Sequence, residues 1–290
     1  MVILLADAFA PGLPDRLKTF GEVTSDMGRV GDAEVIIVRS KTRVDKAMID
    51  KAPKLRFIIR GGVGVDTIDV EYARTKNIKV DNTPEASSLA VAELAFALMI
   101  AMPCNVAAAD SSMKQGKWLK KELERVELSG KTLGLVGVGR IAREVAIRAR
   151  AFNMKVIAYD KYVQSSDVAT VVSLDEVLEK SDYISLHTPL TDETRAMICA
   201  ATIARMKKGT RLINTARGKL IVEADVVAAL KDGRLGGYAA DVYDKEPPEG
   251  SALLSAPNTV LTPHLGASTE ENLLRLGDCI VERMKTYTGK

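Results

Sequence analysis

Histidine is close to absent from this chain: His187 and His264 are the only two among 290 residues. Any proton transfer that needs an imidazole must therefore use one of them. Cysteine is nearly as scarce. Cys104, Cys199 and Cys279 are odd in number and far apart, which argues against a disulfide framework or a zinc site and fits a reducing cytoplasm. No metal is expected. Strong charge of one sign is also missing, since the formal net charge is +3 with both signs interspersed, too mild to imply nucleic-acid binding. The most apolar stretch, Leu89 to Met102, is too short for a bilayer and carries Glu93, so it reads as a buried helix. Met1-Val-Ile-Leu-Leu-Ala-Asp7 has no basic region ahead of its apolar residues and reads as a first strand, not a signal peptide. Internal repeats and low-complexity tracts are lacking. The expectation is a soluble, cytoplasmic protein that acts on small molecules, with no nucleic-acid or membrane partner.

What the chain does have is core-forming material. Apolar residues make up 47% of it, and its length suggests two domains. Short apolar runs alternate with longer segments of helical period, the pattern of parallel βαβ units. Strands are expected at Val2–Leu5, Glu34–Arg39, Leu55–Ile59 and Ile78–Val80, then at Thr132–Val136, Lys155–Tyr159, Tyr183–Leu186, Arg211–Asn214, Gly237–Ala240 and Thr259–Thr262. Ser87 or Ser88 could cap the helix that follows the first group, and Pro103 would end it. The segment from Thr269 to Tyr287 reads as an amphipathic helix with Leu273, Leu276, Ile280 and Met284 on one face, packing back on the first domain. The expected fold is α/β in two lobes of parallel sheet. A Rossmann dinucleotide-binding domain, residues 99–267, is inserted in a discontinuous flavodoxin-like substrate domain, residues 1–98 and 268–290.

The segment Gly134-Leu-Val-Gly137-Val-Gly139-Arg-Ile-Ala142 matches the dinucleotide fingerprint through Gly137, Gly139 and Ala142. A strand precedes it, a helical segment follows, and Asp160 ends the next strand about 20 residues after the glycines, where that fingerprint places an acid. Gly137 permits the tight turn, Gly139 lets the backbone approach a pyrophosphate, and the helix start offers N–H groups to it. Asp160 would bond ribose hydroxyls and repel a 2′-phosphate, which favours NAD over NADP.

Three further segments carry complementary chemistry after buried strands: Asn214-Thr-Ala-Arg-Gly218, Asp241-Val-Tyr-Asp-Lys-Glu246 and Thr262-Pro-His264-Leu-Gly266. Open parallel sheets bind ligands beyond the carboxyl ends of their strands. His264 can exchange a hydroxyl proton, and Glu246 can hold its other ring nitrogen. Arg217 can clamp a carboxylate and polarise a carbonyl. His187, in Ser185-Leu-His-Thr-Pro189, is the rival base, but no Arg or Glu motif accompanies it. A cofactor-lining or structural role suits it better.

With these segments in order, the chain resembles the D-isomer-specific 2-hydroxyacid dehydrogenases over essentially its whole length, and most of all their phosphoglycerate-oxidising branch. Val38-Arg-Ser-Lys-Thr42, Arg60-Gly-Gly-Val-Gly-Val-Asp66, Asn82-Thr-Pro84, Ser112–Trp118 and His187-Thr-Pro-Leu190 carry the resemblance alongside the motifs above. It implies Arg217, Glu246 and His264 as catalytic residues. Gly137, Gly139, Arg140, Ile141, Asp160, His187, Thr188, Thr215, Ala216, Asp241 and Gly266 would line an NAD site. Arg39, Ser40, Arg60, Gly62, Val63, Gly64 and Arg217 would bind substrate, the loop Gly61–Val65 through backbone N–H groups. The implied reaction is oxidation of a phosphorylated 2-hydroxy acid, 3-phosphoglycerate, at the entry to serine biosynthesis. A glyoxylate or hydroxypyruvate reductase is the nearest alternative. Formate dehydrogenases are a poorer match, because formate oxidation does not need the proton exchange that a Glu246–His264 pair provides. NAD-sensing corepressors share the fold and triad and form a remote alternative from another class. The resemblance also implies a homodimer built around Ala107–Leu119. Many members continue into C-terminal regulatory domains, whereas this sequence stops at Lys290, so no feedback by serine is expected.

Overall fold

A computed structural model describes residues 1–289. The chain divides into two compact units, one made of Met1–Ala90 together with residue 267 onward, the other of Val91–Gly266.

The first unit begins β1 (Val2–Leu5), α1 (Leu13–Leu17), β2 (Glu22–Thr24), β3 (Val35–Val38), α2 (Lys46–Asp50), β4 (Phe57–Arg60), α3 (Val70–Thr75) and β5 (Lys79–Asn82). Its sheet is wholly parallel in the order β2-β1-β3-β4-β5. That is the flavodoxin-like order, with the switch of direction between β1 and β3. Side chains alternate between two buried faces. Ile3, Leu5, Val35, Ile37, Phe57 and Ile59 line one face, and Leu4, Ile36, Val38 and Ile58 line the other.

The division between units falls after Ala90, inside α4 (Pro84–Ala101), a continuous helix, whereas the boundary was expected after residue 98. The helix starts at Pro84 and not at a serine cap. Proline suits a first helical position, where no N–H is needed. Ser88 lies one turn in and donates its hydroxyl back to the Pro84 carbonyl at 3.0 Å. By length and composition α4 could cross a membrane, but Ala92, Ala95, Leu98 and Met99 are buried in protein core. It is a core helix.

The second unit continues with α5 (Val106–Lys114), β6 (Thr132–Val136), α6 (Arg140–Ala151), β7 (Lys155–Tyr159), β8 (Thr170–Val171), α7 (Leu174–Lys180), β9 (Tyr183–Leu186), α8 (Ala200–Arg205), β10 (Thr210–Asn214), α9 (Glu223–Lys231), β11 (Leu235–Ala240) and β12 (Thr259–Leu261). The seven strands are parallel in the order β12-β11-β10-β9-β6-β7-β8. This is the doubly wound dinucleotide-binding order with one further strand, and its reversal lies between β6 and β9. Leu133, Leu135, Ala158 and Ile213 pack with α4 and α6 on one side, while Ile184, Leu186, Leu212 and Ala240 pack with α7, α8 and α9 on the other. Each fully buried Leu or Ile contributes about 1.5–3 kcal/mol.

The last helix, α10 (Glu270–Thr288), belongs to the first unit. Thr269 caps it by accepting the Asn272 N–H at 3.0 Å, and Leu276, Ile280 and Met284 join the core of Leu13, Leu17 and Phe57.

Candidate active site

In the second unit the candidate residues follow the carboxyl ends of neighbouring strands. After β6, Gly137 turns with φ +98°, and a Cβ there would meet the His187 carbonyl oxygen at 2.6 Å. Only glycine fits both conditions. Gly139 differs: nothing lies within 4 Å of the Cβ it lacks, so the space beside it is open. It precedes α6, whose first N–H groups have no acceptor within the helix. Asp160, at the end of β7, accepts the Val138 N–H at 2.8 Å, the Tyr162 N–H at 2.8 Å and the Val163 N–H at 3.1 Å. Burial by itself would raise its pKa, but these three donors hold it below the usual carboxylate value. Asp160 therefore ties the glycine loop to the turn after β7 and keeps its charge.

His187 follows β9, and its Nε2 lies 2.9 Å from the Ser185 hydroxyl. Burial pushes its pKa down to about 4, so it is neutral at pH 7. Thr188 and Ala216 are partly exposed, Arg140 is exposed, and Ile141 packs partly on the core beneath α6. Thr215 is buried, and its hydroxyl has no hydrogen-bond partner. An orphaned buried hydroxyl, open space at Gly139 and a helix start with free N–H groups together fit a dinucleotide bearing phosphates and polar groups.

The turn after β10 is organised by Asn214. Its side chain accepts the Ala216 N–H at 3.1 Å and donates to the Arg217 carbonyl at 2.9 Å, while Arg217 donates from Nη1 to the Ala216 carbonyl at 2.6 Å. Gly218 comes next. A Cβ on it would lie 2.0 Å from the Tyr243 carbonyl carbon, so this glycine lets the β10 and β11 loops meet.

In the β11 loop, Glu246 accepts the Tyr243 N–H at 3.1 Å through one oxygen and contacts His264 Nδ1 at 2.6 Å through the other. Partial burial opposes ionisation of Glu246, but the His264 hydrogen bond and charge, with smaller help from Tyr243 and Arg217, hold its pKa below the ordinary value. The contact occupies Nδ1, one of the two ring nitrogens of His264.

His264 itself has φ +54°, an uncommon conformation for a residue with a side chain. Asp241 holds it there. This carboxylate is 1% exposed and accepts the Thr262 hydroxyl at 2.6 Å, the Leu265 N–H at 2.7 Å and the Gly266 N–H at 2.8 Å. Asp241 and Gly266, implied to face the cofactor, thus also clamp the loop that presents His264.

Sequence reasoning missed Asn214, Tyr243 and Thr262 as positioning groups. Asn214 carried a signal, because Asn side chains commonly bond the backbone N–H two residues on. Tyr243 acts through its backbone N–H on Glu246, which no residue type announces, and through its hydroxyl, which donates to the Thr262 carbonyl at 2.9 Å.

The residues expected to bind substrate in the first unit follow β3 and β4. Arg39 is half-buried, its N–H reaches Asp7 Oδ2 at 2.5 Å, and its Nη1 donates to the Ala8 carbonyl at 3.2 Å. Burial draws its pKa down, partly offset by Asp7. Ser40 is exposed beside it. The Arg60 guanidinium folds over Gly62, where a Cβ would collide with Nη1. The Gly62 N–H is already bonded to the Thr83 hydroxyl at 2.8 Å, which leaves the N–H groups of Val63 and Gly64 to meet a ligand. Among the described residues no cluster of His, Cys, Asp or Glu could hold a metal ion.

Comparison with known proteins identifies the family. Residues 96–266 match the NAD-binding domain of D-isomer-specific 2-hydroxyacid dehydrogenases. The chain is 43% identical to a D-3-phosphoglycerate dehydrogenase of Methanocaldococcus jannaschii, over 98% of this chain but 56% of that protein. It is 45% identical to a hydroxypyruvate reductase of Thermotoga maritima, over 92% of this chain and 91% of that one. A D-lactate dehydrogenase from Aquifex aeolicus, solved with NAD and lactic acid, superposes with a TM-score of 0.89 at 31% identity, covering 100% of this chain and 96% of the other. The chain belongs to the D-isomer-specific 2-hydroxyacid dehydrogenase family. It spans about half the length of the phosphoglycerate dehydrogenases it matches.

Proposed function

We propose that the protein oxidises D-3-phosphoglycerate to 3-phosphohydroxypyruvate with NAD, the step that opens serine biosynthesis. The observation that carries this reading is the 2.6 Å contact between Glu246 and His264 Nδ1, which occupies one ring nitrogen and keeps Nε2 for a reactant. In this reaction Nε2 accepts the substrate hydroxyl proton, and Glu246 favours the imidazolium that forms. Arg217 binds the carboxylate and polarises the forming carbonyl. The cofactor supplies the acceptor for the hydride that leaves C2. Gly137, Gly139 and the α6 N–H groups would hold its pyrophosphate, Asp160 its ribose, and Thr215 a polar group nearer the reacting end.

Arg39 and Arg60 would read the substrate phosphate, with Ser40, Val63 and Gly64 beside them. Converting both arginines to alanine is expected to raise KM for phosphoglycerate at least tenfold more than KM for an unphosphorylated 2-hydroxy acid. Equal changes would reject phosphate recognition. A hydroxypyruvate reductase is the second reading, favoured by the relative from Thermotoga maritima that matches nearly end to end. Turnover of phosphoglycerate and of hydroxypyruvate by the same preparation, with NAD(H) and NADP(H), decides both substrate and cofactor. A lower KM for NADPH than for NADH would overturn the role given to Asp160.

We also propose a homodimer through α5 and the segment after it. Met113 is 55% exposed and Trp118 74% exposed beside a cavity of about 390 Å³ lined by Ala109, Leu119 and Leu123. Replacing Trp118 with Lys should shift the sedimentation coefficient from dimer to monomer. The three cysteines form no disulfide, which suits a cytoplasmic setting.

A further inference from the structure

The second unit has another built pocket, at the end of its sheet opposite the candidate active site. A cavity of about 290 Å³ opens where β6, β9, β10 and β11 begin, lined among others by Lys131, Asp182, Tyr183, Lys207, Lys208 and Arg211. Its walls bear four cations and one carboxylate. The carboxylate is engaged: Asp182 accepts the Thr132 N–H at 2.8 Å and pairs with Lys207 at 3.0 Å. Lys131, Lys208 and Arg211 have no ion-pair partner among the described residues, so the cavity keeps a clear positive excess.

The floor carries a second, independent sign of a ligand. Tyr183 is fully buried and its hydroxyl has no well-aligned hydrogen bond, with Arg211 the group that reaches toward it. The Arg211 guanidinium lies 5.7 Å from the centre of its ring. A buried hydroxyl left unmet costs about 1–3 kcal/mol, so retaining one beside an open cationic cavity is costly unless something fills it. The space is large enough for about ten waters, or for a compact molecule with several charged oxygens.

We propose that this pocket binds a small multivalent oxyanion, with Lys131, Lys208 and Arg211 supplying charge and the Tyr183 hydroxyl a hydrogen bond. Phosphates and polycarboxylates share the required chemistry. The site is separate from the dinucleotide loop, which lies past the other ends of β6 and β7. Because β10 and β11 run from this pocket to Arg217 and to the Glu246 loop, an occupant braces the two strands that carry the candidate catalytic groups.

The test uses the holoenzyme with NADH at saturation, so that the cofactor site is filled. Inorganic tripolyphosphate and, in parallel, citrate are titrated calorimetrically against sodium chloride of matched ionic strength. Saturable binding of either is expected in the wild type, and the stronger of the two identifies the class. The Lys131→Gln/Lys208→Gln double variant should bind at least tenfold more weakly. Tyr183→Phe should bind about fivefold more weakly while melting no lower than wild type without the anion, since it removes an unmet hydroxyl. Equal affinity in wild type and double variant, or no saturable binding beyond the chloride control, would overturn the site. Undiminished affinity in Tyr183→Phe would overturn the part given to the hydroxyl.

Discussion

His187 and His264 are both strand-end imidazoles, yet their surroundings drive them to opposite uses. His187 is enclosed, and its pKa falls to about 4. An unfolded histidine titrates near 6.5, so between these values the unfolded chain binds the extra proton and stability falls as pH drops. The full effect is about 3 kcal/mol at most, because part of the residue keeps some exposure. His187→Gln should flatten the stability curve of the cofactor-free protein between about pH 4 and 6.5. Chemical denaturation at several pH values checks this, and an unchanged slope would mean the ring is solvated. His264→Ala, by contrast, should lower kcat by about 10²–10⁴-fold with little effect on melting. Glu246 has the same sign as His187 but acts in a more acidic window: its depressed pKa contributes stability above the ordinary carboxylate range, lost as pH falls through the folded value. The Glu246–His264 contact was legible in the sequence, because both residues follow apolar strands and have chemically distinctive side chains, as does Arg217, the third residue proposed for catalysis. The clamps were not. Asp160 and Asp241 spend their oxygens on backbone N–H groups contributed by segments up to 25 residues away, and such partners are set by loop paths that sequence does not spell out. Asp241→Asn keeps the shape and can keep only part of that acceptance. It should cost about 1–3 kcal/mol of stability and also reduce kcat, because His264 loses the hold on its unusual backbone.

At the scale of elements, glycines in two strand-end loops of the same sheet make a sharp contrast. Gly139 has open space where a Cβ would go, whereas Gly218 faces the Tyr243 backbone at 2.0 Å. Gly139→Ala should therefore fold normally, with a melting temperature within about 1–2 °C of wild type, yet bind NADH at least tenfold more weakly, a loss of about 1.4 kcal/mol. Gly218→Ala should destabilise by about 1–3 kcal/mol or more, since backbone must move to admit the methyl. Thermal melts and NADH titrations on the two variants separate a glycine kept for a ligand from one kept for packing. Two strands were missed outright, and β3, β4, β5, β10, β11 and β12 begin or end one or two residues from their expected limits. β2 and β8 are short edge strands with exposed or partly exposed side chains, whereas β1, β6, β7 and β9 are longer and were bounded correctly. With only three and two residues and little burial, β2 and β8 carry too short an apolar run to register, whereas the edge strands β5 and β12 still showed one. The first glycine-loop helix was clear for the reverse reason: Ala142, Val145, Ala146 and Ala149 repeat at helical spacing and are buried.

For the whole molecule, each unit has its own sheet and its own pair of buried faces. The residues proposed to hold the cofactor, from Gly137 to Gly266, fall within the second unit. A ligand that binds only the folded state stabilises what it binds by about 2.7 kcal/mol at a hundred times its Kd. For a domain of 150–250 residues, each kcal/mol moves the midpoint by about 2–4 °C. Calorimetry is therefore expected to show two overlapping transitions. NADH at that excess should raise one of them by about 5–10 °C and leave the other nearly in place. The shifted transition should be the one that Gly218→Ala lowers, since both act on the second unit, and Arg39→Ala should not alter its response to NADH. A single transition that moves as a whole would mean that α4, which runs unbroken through the division, makes the two cores unfold together. In that case cofactor binding would protect the substrate residues after β3 and β4 as strongly as it protects its own loop, and hydrogen exchange at the Val63 and Gly64 amides would slow with NADH. If the units unfold separately, those amides should exchange at the same rate with and without it.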